Sequence, residues 1–361
     1  MKKKRKEYID VARGIAIILV VMSHCDNFKL WSIGKFSNLF FMPLFFFISG
    51  FFFKMKAQTF SELVSFIKKK CAPIYLYYLK FELFYFILRN LFINKGLYNQ
   101  LVLSKSNDLV VVDSFKIAFL NVLKIILLAG REPFCGAFWF LVSLIFIVTI
   151  YSVIVFISKI IIHSEVFVNF SVLFLFIIGC VMRYTVSIPR VSPAITMILF
   201  YHCGRLSNKR GINFKSKKLF IFSIISLNIL YFWGSVSINS NYFSNPVFLL
   251  ASSFLGIYMV IFISKKIESQ LNFTKSMLVY IGQHTLPIVA MHFISFKVVM
   301  LAQYYFGTIT YNQLGNLTGA NNNNILYLFY VLSGVTIPLA IEYLCNLFKS
   351  VLVKHFCNTI V

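Results

Sequence analysis

Residues 9–28 read IDVARGIAIILVVMSHCDNF, a stretch with the length and apolarity of a membrane span that nevertheless carries Asp10, Arg13 and His24. Ionisable groups at bilayer depth are strongly unfavourable unless paired or hydrated, so each needs a partner or a task. Eleven residues separate Arg13 from His24. At about 100° per residue the two fall within about 20° of each other on a helix, and Asp10 lies about 40° from the same line. The three form one stripe, which has to face the interior of a bundle or a wet cavity. Along the axis, Arg13 and His24 are about 16 Å apart. A guanidinium near the mouth of such a helix suits an anion, and a deeper imidazole, with a reference pKa of about 6.5, takes a proton at neutral pH. An anion anchor at one end and a proton acceptor at the other are the parts of a group-transfer site, with a phosphate-bearing donor held at the mouth and a nucleophile deprotonated inside.

A second histidine points the same way. In YIGQHTLPIVAMHF, His292 lies 15 residues beyond Met277, where a span is expected to begin, and His24 lies 15 beyond Ile9. Both rise about 22 Å into the bundle, so the two imidazoles are expected at one depth, lining one cavity. Pro287 is expected to bend its helix and free backbone carbonyls. Lys68, Lys69 and Lys70 extend the basic mouth begun by Arg13. Plainer readings stay open for each. Arg13 can pair with Asp10 and reach the headgroups, either histidine can be a satisfied core residue, and the lysines can be ordinary loop charge. His202, His284 and His355 stand near expected helix ends, and Glu82 and Glu342 are acids inside apolar runs. None of these receives a role.

The elements that must hold these groups follow from composition. Of 361 residues, 59% are hydrophobic and 13% charged, with a mean hydropathy of +0.81. A water-soluble domain carries about 25% charged residues, so this is an integral membrane protein. Ten apolar runs have the length of a transmembrane helix, near residues 9–28, 36–53, 72–93, 136–158, 164–182, 191–207, 217–236, 246–264, 277–302 and 325–348. The segment DSFKIAFLNVLKIILLAGRE, residues 113–132, is apolar but carries Lys116, Asn121 and Lys124. It is read as an interfacial or re-entrant helix. With both termini cytoplasmic, the inner segments hold 22 of the 35 basic residues, the asymmetry expected of loops retained inside. The net charge of +24 is therefore scattered loop charge, and nucleic acid is excluded as a partner. The seven cysteines include no C-x-x-C pair and read as packed thiols. The expectation is one all-α membrane domain, residues 1–361, in the cytoplasmic (inner) membrane and in contact with its lipids.

At these residues the chain resembles the membrane acyltransferase 3 family. IDVARGIAIILVVMSH is similar to the family's opening, an arginine, ten residues, then a histidine, and FFMPLFFFISGFFF resembles its F-x-x-S-G-F/Y segment with Ser49 and Gly50. FWFLVSLIF, carrying Trp139, resembles the start of a middle helix. FYHCGRL, with Gly204, and YIGQHTLPIVAMHF, with His292, resemble later landmarks. The chain is most similar to the branch of fucose 4-O-acetylases. The resemblance implies an O-acetyltransferase that takes acetyl from cytoplasmic acetyl-CoA, as co-substrate and without a metal, to a cell-surface carbohydrate. It implies His24 as catalytic base and Arg13 as its partner toward the acyl-CoA. The family's R-x-x-R element is replaced here by Lys68, Lys69 and Lys70, which attract phosphate but lack the planar fork. A histidine common before the M-P of the second span is Phe41 here. Ser49 with Gly50 is either an oxyanion donor or a close-packing point, and Trp139 is either packing or a substrate platform. Asp10, Ser49, Gly50, Trp139 and His292 thus stand as supporting residues. The rival reading is a secondary transporter or flippase for glycan precursors, which buried ionisable residues suit equally well. Against it, no pair of Gly/Pro-broken helices recurs in matching halves.

Overall fold

The computed structural model describes residues 6–25, 31–98, 112–130, 132–270, 272–318 and 324–358. It is all-α, 81% helical, with one two-residue hairpin. In chain order the helices are α1 (Glu7–His24), α2 (Ile33–Asn38), α3 (Phe41–Phe51), α4 (Phe60–Asn94), α5 (Phe115–Ile126), α6 (Trp139–Ile157), α7 (Glu165–Met182), α8 (Val191–Arg210) and α9 (Lys217–Trp233). After the antiparallel pair β1 (Val236–Ser237) and β2 (Tyr242–Phe243) come α10 (Pro246–Gln270), α11 (Asn272–Gln283), α12 (Thr285–Tyr305), α13 (Tyr311–Leu314) and α14 (Asn324–Asn358). Helix starts follow capping chemistry. Thr59, Ser114 and Ser216 each accept a hydrogen bond from the backbone N–H three residues on, and Gly211 closes α8 in the left-handed region at φ +62°.

Seven helical stretches among the described residues are long and apolar enough to cross a membrane. The other three expected spans are helices that fall short in composition or length. Helix α1 carries Glu7, Asp10 and Arg13, α8 ends on Arg205, Lys209 and Arg210, and α9 has 17 residues. Helix α1 is the centre of the bundle. Ile9, Val11, Ala12, Ala16, Ile17 and Val21 are fully buried, against α11, α10, α12, α2, α3 and α14.

Two pairs of glycines set the helix crossings. A Cβ on Gly50 would lie 1.8 Å from the carbonyl oxygen of Tyr201, and one on Gly204 would lie 1.9 Å from that of Phe47, so α3 and α8 meet backbone to backbone. Gly14 against Leu278 and Gly282 against Asp10 do the same for α1 and α11, at 2.3 and 1.9 Å. Small residues at such crossings are how apolar helices approach closely enough to pack without a hydrophobic drive.

The amphipathic segment forms a short helix folded back along α4. Helix α5 has 12 residues, too few to span, and exposes Phe115, Phe119 and Leu123. It runs back along α4: the Asn90 side chain pairs with the backbone of Val112, Arg89 donates to Asn121 at 3.2 Å, and the Tyr75 hydroxyl donates to Ile126 at 2.9 Å. From Asn90 to Tyr75 the rise along α4 is about 22 Å.

The expected span 277–302 is broken. Helix α11 ends at Gln283 and α12 begins at Thr285, with His284 between them at φ −113°, ψ 37°. Inside a continuous helix, Pro287 would leave the Gln283 carbonyl without a donor and its ring would clash there. Breaking the chain at His284 puts Pro287 in the first turn of a new helix, where no N–H is required.

Candidate active site

A cavity of about 1220 Å³ opens inside the bundle, and one face of α1 forms its wall. Arg13, Ile17, Val20 and His24 all line it, at steps of four, three and four residues, the spacing of a single helical stripe. Asp10 departs from the stripe. It is buried at the α1–α11 crossing and does not line the cavity.

Helix α12 measures depth along the opposite wall. Its first residues, Thr285 and Leu286, line the cavity with Gln283, next to Gly282, which packs on the backbone of Asp10 and Gly14 beside Arg13. About 10 Å further along α12 by helical rise, His292 stacks on His24 with ring centroids 5.3 Å apart and planes 25° from parallel. Phe293, the next residue, also packs on His24 at 4.8 Å and on His292 at 4.1 Å, so the three rings form one cluster.

The two histidines meet, but only His24 reaches the cavity. His24 is half-buried, whereas His292 is fully buried and absent from the lining, a correction to the expectation that both line it. The Nδ1 of His292 is 2.8 Å from the carbonyl of Ile288. A carbonyl only accepts, so Nδ1 carries the hydrogen and the lone pair sits on Nε2. That Nε2 has no hydrogen-bond partner among the described residues. His292 is a plate behind His24 rather than a second group facing the cavity.

The supporting residues divide. Ser49 lines the cavity, but its hydroxyl donates to the Phe45 carbonyl at 2.9 Å, so its proton is directed into its own helix. Gly50 is buried at the α3–α8 crossing and serves packing. Trp139 lines the cavity from the first turn of α6, and so does Phe41. Lys68, Lys69 and Lys70 are exposed and lie outside the lining, while Ile74, one turn beyond Lys70 on α4, is part of it.

The cavity also contains groups that the sequence did not mark. Glu132 and Arg190 line it. Glu132 is the last residue of the amphipathic segment, and its Oε1 accepts from Arg89 Nε at 3.0 Å in an ion pair whose side chains are 1% and 2% exposed. Its backbone N–H donates to Glu82 at 3.2 Å, which gives that unassigned acid a structural task. Tyr78 accepts from the Gly130 N–H at 2.9 Å, and the Arg190 guanidinium donates to the carbonyls of Leu128 and Gly130. A Cβ on Gly130 would fall 2.6 Å from a Glu82 oxygen. Only the adjacency of a charged pair and a proline in REPF, residues 131–134, hinted at this turn. The other unassigned acid, Glu342, lies 4.0 Å from His284 at the helix break. No group of three or more His, Cys, Asp or Glu side chains among the described residues could hold a metal.

Residues 6–343 match the family described as an acyltransferase domain, Acyl_transf_3. Neither the curated proteins nor the solved structures compared with the chain gave a match.

Proposed function

Because this chain belongs to the membrane acyltransferase 3 family, we propose that it is an O-acetyltransferase that moves acetyl from acetyl-CoA to a hydroxyl of a cell-surface carbohydrate. The single observation that carries the reading is the continuous cavity wall from Arg13 to His24, about 16 Å by helical rise. A phosphate-bearing thioester anchored at Arg13 can reach along that wall to the imidazole. Beside Arg13 the cavity is also lined by the first turn of α12, whose unpaired N–H groups favour negative charge. Lys68, Lys69 and Lys70, exposed one turn before Ile74, add positive charge on the approach.

In the proposed reaction the acceptor oxygen attacks the thioester carbonyl as its proton moves to a ring nitrogen of His24. The C–O bond forms, the tetrahedral intermediate collapses with cleavage of the C–S bond, and the imidazolium returns the proton to the departing CoA sulfur. His292 and Phe293, which pack on His24 and on each other, support the ring beside the cavity. The resemblance to the fucose 4-O-acetylase branch supports a glycan as acceptor, and the basic inner loops support delivery of the donor from the cytoplasm.

The test is mass spectrometry of surface glycan from host cells that lack the protein and are complemented with wild type or His24→Ala at matched membrane level. Wild type should restore the acetyl mass. General base catalysis is worth about 10²–10⁴-fold, so His24→Ala should restore less than about a tenth of it. Acylation above that level removes His24 from the base role, and an unmodified glycan in wild-type cells removes the acceptor assignment.

A further inference from the structure

Glu132 is a buried carboxylate with one oxygen committed and one idle. Arg89 holds Oε1, while Oε2 is buried and has no hydrogen-bond partner among the described residues, although Glu132 lines the cavity. Leaving a buried acceptor unsatisfied is unfavourable, and for an ionised group more so, and Glu132, unlike the sealed His292, lines the cavity that a ligand would enter. The idle oxygen is an acceptor only, so what completes it must bring a hydrogen.

The position of Glu132 says which ligand. Helix α12 passes Arg13 at Thr285, His24 at His292, and reaches Lys297 five residues later. The Lys297 ammonium lies 5.7 Å from the Phe134 ring and donates to the carbonyls of Leu314 and Asn316. Phe134 is two residues from Glu132, and Asn316 itself lines the cavity. On the other flank, Arg190 grips Gly130, two residues before Glu132. Gly136, on the same turn, would meet the Phe293 ring at 3.4 Å through a Cβ, and Phe293 packs on His24. The Glu132 turn therefore abuts the base, at the end of the cavity away from Arg13. The donor's phosphates belong at Arg13, which leaves this end to the acceptor.

From this we infer that Glu132 binds the acceptor: its Oε2 accepts a hydrogen bond from a hydroxyl of a polyhydroxylated substrate, next to the hydroxyl that His24 deprotonates. The inference rests on the acetyltransferase reading and adds to it a residue that selects the acceptor. A site built to take a hydroxyl discriminates strongly against a substrate lacking it, because the carboxylate would then stay unpaired.

The experiment uses the full-length protein purified in detergent, acetyl-CoA, and the unacylated surface glycan isolated from cells lacking the protein. KM is measured for each substrate. Glu132→Gln keeps the volume and one oxygen for Arg89. The double variant R89M/E132L removes the ion pair as a unit, since deleting one partner would strand a buried charge. In both, the KM for glycan is expected to rise at least about tenfold, with the KM for acetyl-CoA within about twofold of wild type. A glycan KM unchanged in the double variant overturns the inference, as does an equal rise in both KM values, which would mark Glu132 as structural. If wild type transfers nothing to this glycan, the acetyltransferase reading itself fails, a result distinguishable from failure of Glu132 alone. Should Glu132→Gln not accumulate in membranes, the double variant carries the measurement.

Discussion

His24, the proposed base, stacks on a ring that is sealed from the cavity. The sealed His292 fixes the plane of the base from behind, which predicts a division between ring and nitrogen. His292→Phe keeps an aromatic plate and, as a nearly volume-conserving swap, should retain kcat within about threefold. His292→Ala opens a void behind the base and should lower kcat by about 10- to 100-fold through misplacement, with both KM values held. If the Phe variant is as slow as the Ala variant, the Nδ1 contact to Ile288, not the stacked plane, is what matters. At the other end of the wall, Arg13→Ala should raise the KM for acetyl-CoA about 10- to 100-fold with kcat near wild type, the worth of a charge-assisted hydrogen bond. Arg13→Lys should recover only part of that, because an ammonium lacks the bidentate fork. A donor KM indifferent to Arg13→Ala would leave the anion anchor without support.

Helices α3 and α8 are held by contacts that no side chain can relax. Gly50 and Gly204 each face a backbone carbonyl at under 2 Å from where a Cβ would sit, so Gly50→Ala forces the helices apart. Overpacking costs about 1–3 kcal/mol where side chains can yield, and a backbone neighbour cannot. The variant is expected to lower the apparent Tm and the monodisperse yield in size-exclusion chromatography. A wild-type melting profile would show that the crossing is looser than the structure has it. How far such elements were readable depended on their period. The stripe from Arg13 to His24 was legible because a uniform helix carries it. The meeting of His24 with His292 was also anticipated, although the count from Met277 ran through a helix that is in fact broken at His284. The break follows from Pro287, but the residue at which a chain yields is set by the packing of Gly282 on α1, which no local pattern records. Glu132 was invisible for a similar reason. Its partners Arg89 and Glu82 are 43 and 50 positions away, joined only when α5 folds back along α4. Asp10, three residues before Arg13, shares the angle of the stripe but is buried at the α1–α11 crossing, outside the cavity lining.

At the scale of the molecule, one cavity has to serve two substrates that differ in charge. Its wall carries Arg13 at one end and Glu132 and Arg190 at the other, with His24, the proposed base, between them. The proposed reaction is served if donor and acceptor enter from different ends, the thioester past Arg13 and the acceptor past Glu132. Each end has an exposed residue fit for labelling: Gln283 beside Arg13, and Asn239 on the turn between β1 and β2. Loop charge predicts the first on the cytoplasmic face and the second on the opposite one, since residues 275 and 265–266 are basic while the loop around residue 239 has no charge. In a chain whose seven native cysteines are replaced by Ser or Ala, Gln283→Cys and Asn239→Cys should therefore react with a membrane-impermeant maleimide in vesicles of opposite orientation. Saturating coenzyme A should protect Gln283→Cys and leave Asn239→Cys reactive, because only the Arg13 end holds the donor. Labelling of both positions from one face would mean that the cavity opens to a single compartment, and that donor and acceptor must share one mouth past the same arginine.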